Sequence, residues 1–130
     1  MNVLVLGSGG REHALSHKIV QSTKCEKLFI APGNGGTAAL GDNVSLDIES
    51  AAEVAAFAKA QAIDIVVIGP EAPLVAGVHD GLKSFPELEN LVVVGPRQAA
   101  AELEGSKDFA KEFMMRHQIP TAAYQTFTKD

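Results

Sequence analysis

The stretch that decides the fold is Val3-Leu4-Val5-Leu6-Gly7-Ser8-Gly9-Gly10-Arg11-Glu12-His13, in which an apolar run stops at a glycine-rich loop and a helical pattern follows. A strand that passes into a helix through such a loop is typical of phosphate binding. Glycines let the backbone approach a ligand, and the first helical turn offers free N–H groups and a partial positive charge. The planar guanidinium of Arg11 adds several N–H donors for phosphate oxygens. We therefore predict a phosphate site formed by Ser8, Gly9, Gly10 and Arg11.

The loop departs from the two common nucleotide motifs. In the dinucleotide fingerprint Gly-x-Gly-x-x-Gly, Gly7 and Gly9 fit, but Glu12 stands at the third glycine position. The next apolar run ends in Ala31-Pro32, without the carboxylate that would bind a ribose. The Gly-Lys-Ser/Thr of a P-loop is also missing from the loop. These departures favour a smaller phosphate ester over a dinucleotide.

Composition excludes several classes of function. The 130 residues fit one domain, and 46% apolar content with 5% aromatic residues suits an α/β core. A net charge of −5 without a basic cluster argues against nucleic acid as a partner. No apolar run is long enough to predict a membrane span, and no signal peptide is present. The single Cys25 allows no internal disulfide, so we expect a cytoplasmic protein.

Strand and helix patterns alternate along the whole chain. Apolar runs predict strands at residues 3–6, 27–30, 44–46, 63–68 and 91–94. Helical patterns lie between them, over residues 13–22, 50–61, 74–85 and 98–103, with a last helix after Ser106. This alternation predicts an α/β fold, a parallel sheet with helices on both faces. Residues 121–127 predict a further strand that lacks its continuation, so we expect the chain to be the front of a longer protein.

Unusual residues collect where the predicted strands end. Glycine- and proline-rich loops follow four of the strands, at residues 7–11, 32–36, 69–73 and 95–96. Because ligands of open parallel sheets bind beyond the carboxyl ends of the strands, these loops predict one shared site. Its further candidates are Asn34, Gly35, Pro70 and Glu71. Two simpler interpretations stay open: Asn34 occupies a left-handed turn position, and Glu71 is an exposed loop acid.

Neither a metal site nor a covalent nucleophile is predicted. His13 and His17 are four residues apart on one helix, but His-Glu-x-x-His spacing and further ligands are missing. No histidine forms a convincing triad with Ser8 or Cys25. We therefore assign no catalytic residue and expect any chemistry to rest on positioning and electrostatics.

Five motifs resemble those of one enzyme family, phosphoribosylamine–glycine ligase, also called glycinamide ribonucleotide synthetase. They span the whole chain in the family's order, at residues 7–14, 31–38, 69–74, 103–107 and 117–122. The family belongs to the ATP-grasp ligases. The resemblance implies that glycine is activated as an acyl phosphate and is then attacked by the amine of 5-phosphoribosylamine. This resemblance implies purine biosynthesis, with ATP and Mg²⁺ (or Mn²⁺) as cofactors of the full-length enzyme.

The resemblance also implies domains and residue roles. Residues 1–104 would be a Rossmann-like, pre-ATP-grasp domain that binds phosphoribosylamine, and residues 105–130 the start of the ATP-grasp region. The 5-phosphate would lie on Gly9, Gly10 and Arg11, with Asn34, Gly35, Pro70 and Glu71 bordering the ribose and amine. Lys107 would reach the nucleotide phosphates, or else be a solvated lysine after the N-cap Ser106. The glycine site, the ATP loop and the metal ligands would lie in missing C-terminal domains, so we expect this chain alone to be inactive.

Two alternatives stay open. The chain could be a free-standing nucleotide- or dinucleotide-binding regulatory module, although Glu12 argues against it. It could also be a structural domain that associates through residues 124–127, because an uncovered strand invites pairing. Arg97 stands where the family more often has a small polar residue, and either contacts phosphate or points to solvent.

Overall fold

The computed structural model describes residues 1–127, which form a five-stranded parallel sheet with the order β3-β2-β1-β4-β5. The strands are β1 (Asn2–Gly7), β2 (Lys27–Pro32), β3 (Asp42–Asn43), β4 (Ile65–Ile68) and β5 (Val92–Val94). The chain runs from β1 outward through β2 to β3, then crosses to β4 on the other side of β1. The predicted α/β fold is confirmed, and the strand order places a topological switch point between β1 and β4.

Helices lie on both faces of the sheet, as predicted. They are α1 (Gly10–Ile19), α2 (Ala51–Ala60), α3 (Glu71–Val75), α4 (Val78–Ser84), α5 (Gln98–Gly105) and α6 (Lys107–Arg116). Helices α2 to α5 cover one face, where they bury side chains of alternate strand positions such as Leu4, Leu6 and Val66. Helix α1 lies on the opposite face, against Val3, Val5, Leu28 and Ile30. Because strand side chains alternate between two covered faces, all four residues Val3, Leu4, Val5 and Leu6 of β1 are apolar and buried.

Helix α1 corrects one prediction. In the helix predicted over residues 13–22, the spacing of Ala14, Leu15, Ile19 and Val20 predicts an apolar stripe towards the sheet. Only Ile19 of these packs against the sheet. Leu15 and Val20 are 37% and 42% exposed, whereas Glu12 and Ser16 are buried. The buried side of α1 is therefore largely polar at its N-terminal half, and a search for apolar periodicity does not detect it.

Two further element boundaries differ from the prediction. The third strand lies at Asp42–Asn43, just before the predicted Val44, because the pairing with Phe29 and Ile30 sets its position. The single helix expected over residues 74–85 is two helices, because Gly77 adopts a left-handed φ of +83° between them. Leu74, Val78 and Leu82 are nevertheless all buried, as their spacing predicted.

The strand predicted over residues 121–127 is wrong. This segment is irregular and is held by side chains of α6: Lys111 donates to the Thr121 hydroxyl (2.7 Å), and Thr126 donates to Asp108 (2.8 Å). The Lys111 ammonium also lies 5.8 Å from the centre of the Tyr124 ring. Alternating apolar residues favour a strand only where a neighbouring strand pairs with them.

On the face of the sheet that packs against α1, strands β4 and β5 are largely uncovered by other elements within residues 1–127. Ile65 and Val67 of β4 and Val92 and Val94 of β5 point to the same face as α1, beside that helix. Val92 and Val94 are each 49% exposed. Ile65, Val67 and Val94, with Met1, Val3 and Ile19, border a shallow apolar groove of about 390 Å³, and Val92 lies next to it on the same face. We call this surface the β4–β5 groove.

Candidate phosphate-binding site

The loops after β1, β2 and β4 meet at the carboxyl edge of the sheet. Gly33 donates its N–H to the carbonyl of Gly7 (3.2 Å), and Gly69 donates to that of Leu6 (3.1 Å). The Asn34 side-chain amide donates to the carbonyl of Ser8 (2.8 Å). These hydrogen bonds hold the loops after β1, β2 and β4 together at one edge of the sheet, beside the switch point.

Glu12 lies at the centre of this edge, and the sequence analysis did not assign it a role. Its carboxylate is only 3% exposed, and it accepts hydrogen bonds from the Gly9 N–H (2.7 Å) and from Nε of Arg11 (3.1 Å). This side chain therefore caps the N-terminus of α1 and fixes one edge of the Arg11 guanidinium. The signal that could have found it was its position, three residues after the N-cap Gly9.

The glycines of the edge fall into two groups. A Cβ on Gly7 would lie 2.6 Å from Cγ of Glu12, a Cβ on Gly9 would lie 2.9 Å from its Oε2, and a Cβ on Gly69 would collide with its carboxylate. A Cβ on Gly10 or Gly35 would meet no protein atom within 4 Å. Packing therefore explains glycine at positions 7, 9 and 69, whereas Gly10 and Gly35 border open space.

Gly10 and Arg11 form the open start of α1. Their N–H groups belong to the first helical turn, where the helix has no carbonyl to accept them. The Arg11 side chain is 58% exposed, and its guanidinium bonds Glu12 through Nε, so its terminal nitrogens remain accessible to a ligand. A fixed guanidinium next to free helix N–H groups is an arrangement that suits a phosphate.

Asn34 organises the loop after β2. Its Oδ1 accepts the N–H groups of Gly36 (2.8 Å) and Thr37 (3.0 Å), while its amide bonds Ser8. The buried Thr37 hydroxyl accepts the N–H of Asn34 (2.7 Å) and lies within donating distance of Oδ1 of Asn43 (2.7 Å). The left-handed alternative for Asn34 is wrong, because the positive φ of this loop, +72°, belongs to Gly33.

His13 also borders the loop after β2. Its ring packs so closely on Gly36 that a Cβ there would lie 2.6 Å from Cε1. His17 is exposed and contacts Gln21 instead. Within residues 1–127, no three His, Cys, Asp or Glu side chains gather closely enough to hold a metal ion.

The remaining candidates lie farther along the chain. Pro70 is the N-cap of α3, and Glu71 is the exposed first residue of that helix. Lys107 is exposed at the first position of α6, which packs on α5. Arg97 is 75% exposed, and its Nε lies 4.0 Å from Asp80, so its head group is turned to that carboxylate and to solvent.

Comparison with known proteins places the chain in a family. The sequence profile described as "Phosphoribosylglycinamide synthetase, N domain" matches residues 1–104. The chain belongs to this family. As a phosphoribosylglycinamide synthetase N domain, it is 53% identical over 131 aligned positions to phosphoribosylamine–glycine ligase of Vibrio parahaemolyticus, covering 99% of this chain and 30% of that one. It is 55% identical to the ligase of Vibrio vulnificus, covering 98% of this chain and 29% of that one.

A solved structure agrees with the fold of this synthetase N domain. The phosphoribosylamine–glycine ligase of Thermotoga maritima matches with a TM-score of 0.62 and 32% identity, over 95% of this chain and 26% of that one. The resemblance stated from the motifs is thus confirmed. The chain spans about 30% of the length of the curated relatives it matches. None of the helices in residues 1–127 has the length and apolarity needed to span a bilayer.

Proposed function

We propose that this chain is the phosphoribosylamine-binding part of a ligase that joins glycine to 5-phosphoribosylamine, at the expense of ATP, in purine biosynthesis. The names of its relatives support the reaction. The observation that carries the binding role is the open start of α1, where the N–H groups of Gly10 and Arg11 have no carbonyl partner in the helix and the Arg11 side chain is 58% exposed. The 5-phosphate would lie there, on the N–H groups of Gly10 and Arg11, and would border Ser8 and Gly9, whose own N–H is bonded to Glu12.

The ribose and its amine would extend along the edge towards the neighbouring loops. Gly35 leaves open space on the side of β2, and the exposed Glu71 carboxylate, next to Pro70, offers acceptors for hydroxyl or amine protons on the side of β4. In this proposal Asn34 acts mainly through the loop, because its Oδ1 and one N–H are already bonded. We assign no nucleophile among residues 1–127. The part of this chain in catalysis is to hold the amine in place.

ATP and a divalent metal would be held largely by other parts of the ligase. Lys107 is exposed and supplies one ammonium that fits a nucleotide phosphate as a point charge. The donor groups of residues 1–127 do not form a metal site. We therefore propose a domain boundary after residue 104, with Lys107 belonging to the nucleotide-binding region, and derive no step through the metal. The single Cys25 fits a reducing compartment, the cytoplasm.

Calorimetric titration with ribose 5-phosphate, a stable substitute for the labile amine, tests the binding role. We expect binding to ribose 5-phosphate, and an affinity about tenfold weaker in Arg11→Ala, because a charge-assisted hydrogen bond is lost. Arg116→Ala removes an exposed arginine at the end of α6 and is the matched control. Unchanged affinity in Arg11→Ala would contradict the phosphate site. Preference for NAD or AMP would favour the regulatory-module alternative.

A further inference from the structure

Glu12 stands at the position of the third glycine of the dinucleotide motif, where the absence of a side chain lets helix and strand pack closely. In that motif the pyrophosphate lies at the helix N-terminus, and small residues let helix, strand and ligand approach one another. Here the carboxylate fills the space between the loops after β1 and β4, against Gly7, Gly9 and Gly69. It is 3% exposed, so it lies below the surface of the site.

The same carboxylate changes which donors remain for a ligand. The Gly9 N–H is bonded to Oε2 of Glu12 at 2.7 Å, so it is not free for a phosphoryl oxygen. The N–H groups of Gly10 and Arg11 remain available farther out. A second phosphoryl group reaching inward along the loop would meet a negative charge and a filled space. Both effects oppose a diphosphate, because like charges at short distance repel and the filled space cannot be shared.

Glu12 also orients the residue that would bind the phosphate. Oε1 accepts the Arg11 Nε–H at 3.1 Å, which leaves the two terminal nitrogens of the guanidinium for a ligand. The Arg11 side chain is thereby held by its Nε while it remains 58% exposed to solvent.

We propose that Glu12 is the specificity-determining residue of the site, which admits one phosphoryl group at Gly10 and Arg11 and excludes diphosphates. This inference rests on the proposed function for the identity of the accepted ligand, a sugar monophosphate. The exclusion of diphosphates rests on the position of Glu12 alone.

Two variants test it, each titrated with ribose 5-phosphate, ADP-ribose and AMP. Glu12→Gln keeps the shape and removes the charge, and Glu12→Gly restores the third glycine of the dinucleotide motif. AMP shares the adenosine of ADP-ribose without the diphosphate. We expect the wild-type protein to discriminate against ADP-ribose, and its affinity for ADP-ribose to rise about tenfold in Glu12→Gln and further in Glu12→Gly. AMP and ribose 5-phosphate each carry a single phosphoryl group, so neither should gain affinity, and both should bind more weakly as Arg11 loses its partner.

Glu89→Gln is the matched control, because Glu89 is an exposed acid in the connection that precedes β5, at the opposite edge of the sheet. Circular dichroism confirms that each variant is folded, and the isosteric Glu12→Gln keeps the test decisive if Glu12→Gly unfolds. Folded Glu12→Gln without any gain for ADP-ribose, or a wild-type protein that binds ADP-ribose as tightly as ribose 5-phosphate, would overturn the inference. Gain of ADP-ribose binding in a chain that never binds ribose 5-phosphate would uphold it and refute the proposed function.

Discussion

At the scale of single residues, one side chain explains the glycines nearest the switch point. Glu12 fills the space that a Cβ on Gly7, Gly9 or Gly69 would need. The sequence alone predicted a phosphate-binding loop from the glycines and showed Glu12 only as a departure from the dinucleotide motif. It could not show that a carboxylate turns inward, because that depends on the approach of the loop after β4, which lies more than fifty residues away along the chain.

The two groups of glycines predict opposite outcomes of substitution. Gly69→Ala should destabilise the fold by about 1–3 kcal/mol, because its methyl group collides with the buried Glu12 carboxylate. Gly10→Ala should leave the free energy of unfolding within about 1 kcal/mol of wild type, because its methyl group enters open space at the start of a helix. Urea unfolding followed by circular dichroism measures both.

Gly10→Ala also serves as a test of the ligand's position. If the 5-phosphate lies on the Gly10 N–H, the added methyl group should weaken ribose 5-phosphate binding several-fold in a protein of normal stability. Full stability with full affinity would place the phosphate elsewhere on the edge.

At the scale of elements, the sequence predicted the alternation of strands and helices and the four loops that follow strands. These features depend on local periodicity and on glycine and proline, which act within a few residues. The predictions fail where contacts between residues far apart in the sequence determine which side chains are buried or which conformation a segment adopts. Helix α1 buries Ser16 in place of Leu15, and residues 121–127 lie on α6 in place of a strand. The parallel strand order followed from fold habit, and its register came only from the structure.

The loop after β2 depends on one buried hydroxyl. Thr37→Val keeps the shape of the side chain but removes the acceptor for the Asn34 N–H and the donor towards Asn43. Because these polar partners are then left unsatisfied, we expect a loss of about 1–3 kcal/mol in the free energy of unfolding. Thr23→Val, at an exposed position, is the control for urea unfolding. Equal stability of both variants would contradict the role of Thr37.

At the scale of the whole molecule, the two faces of the sheet are covered unequally. Helices α2 to α5 bury one face, whereas α1 covers only the β1–β2 half of the other. The β4–β5 groove is therefore an apolar surface in contact with solvent, with Val92 and Val94 each 49% exposed. Exposed apolar patches on an isolated domain favour association.

We expect the isolated chain to self-associate weakly through this groove. Sedimentation velocity should show a weight-average coefficient that rises with concentration, and Val94→Lys should suppress the rise by placing a charge in the groove. Met115→Lys changes an apolar residue of α6 that is 64% exposed and should leave the association unchanged. Equal suppression by both variants, or a coefficient independent of concentration, would contradict the prediction.

The hydrogen bond from the Asn34 amide to the Ser8 carbonyl couples the mobility of the loop after β2 to that of the loop after β1. An occupant that steadies the loop after β1 also steadies Asn34, and through its Oδ1 the amide protons of Gly36 and Thr37. Hydrogen exchange at these two positions should therefore slow when the start of α1 is occupied, although neither N–H contacts the occupant. Exchange rates in the loop after β2 thus report whether the loop after β1 is occupied. Asn34→Ala should abolish this effect.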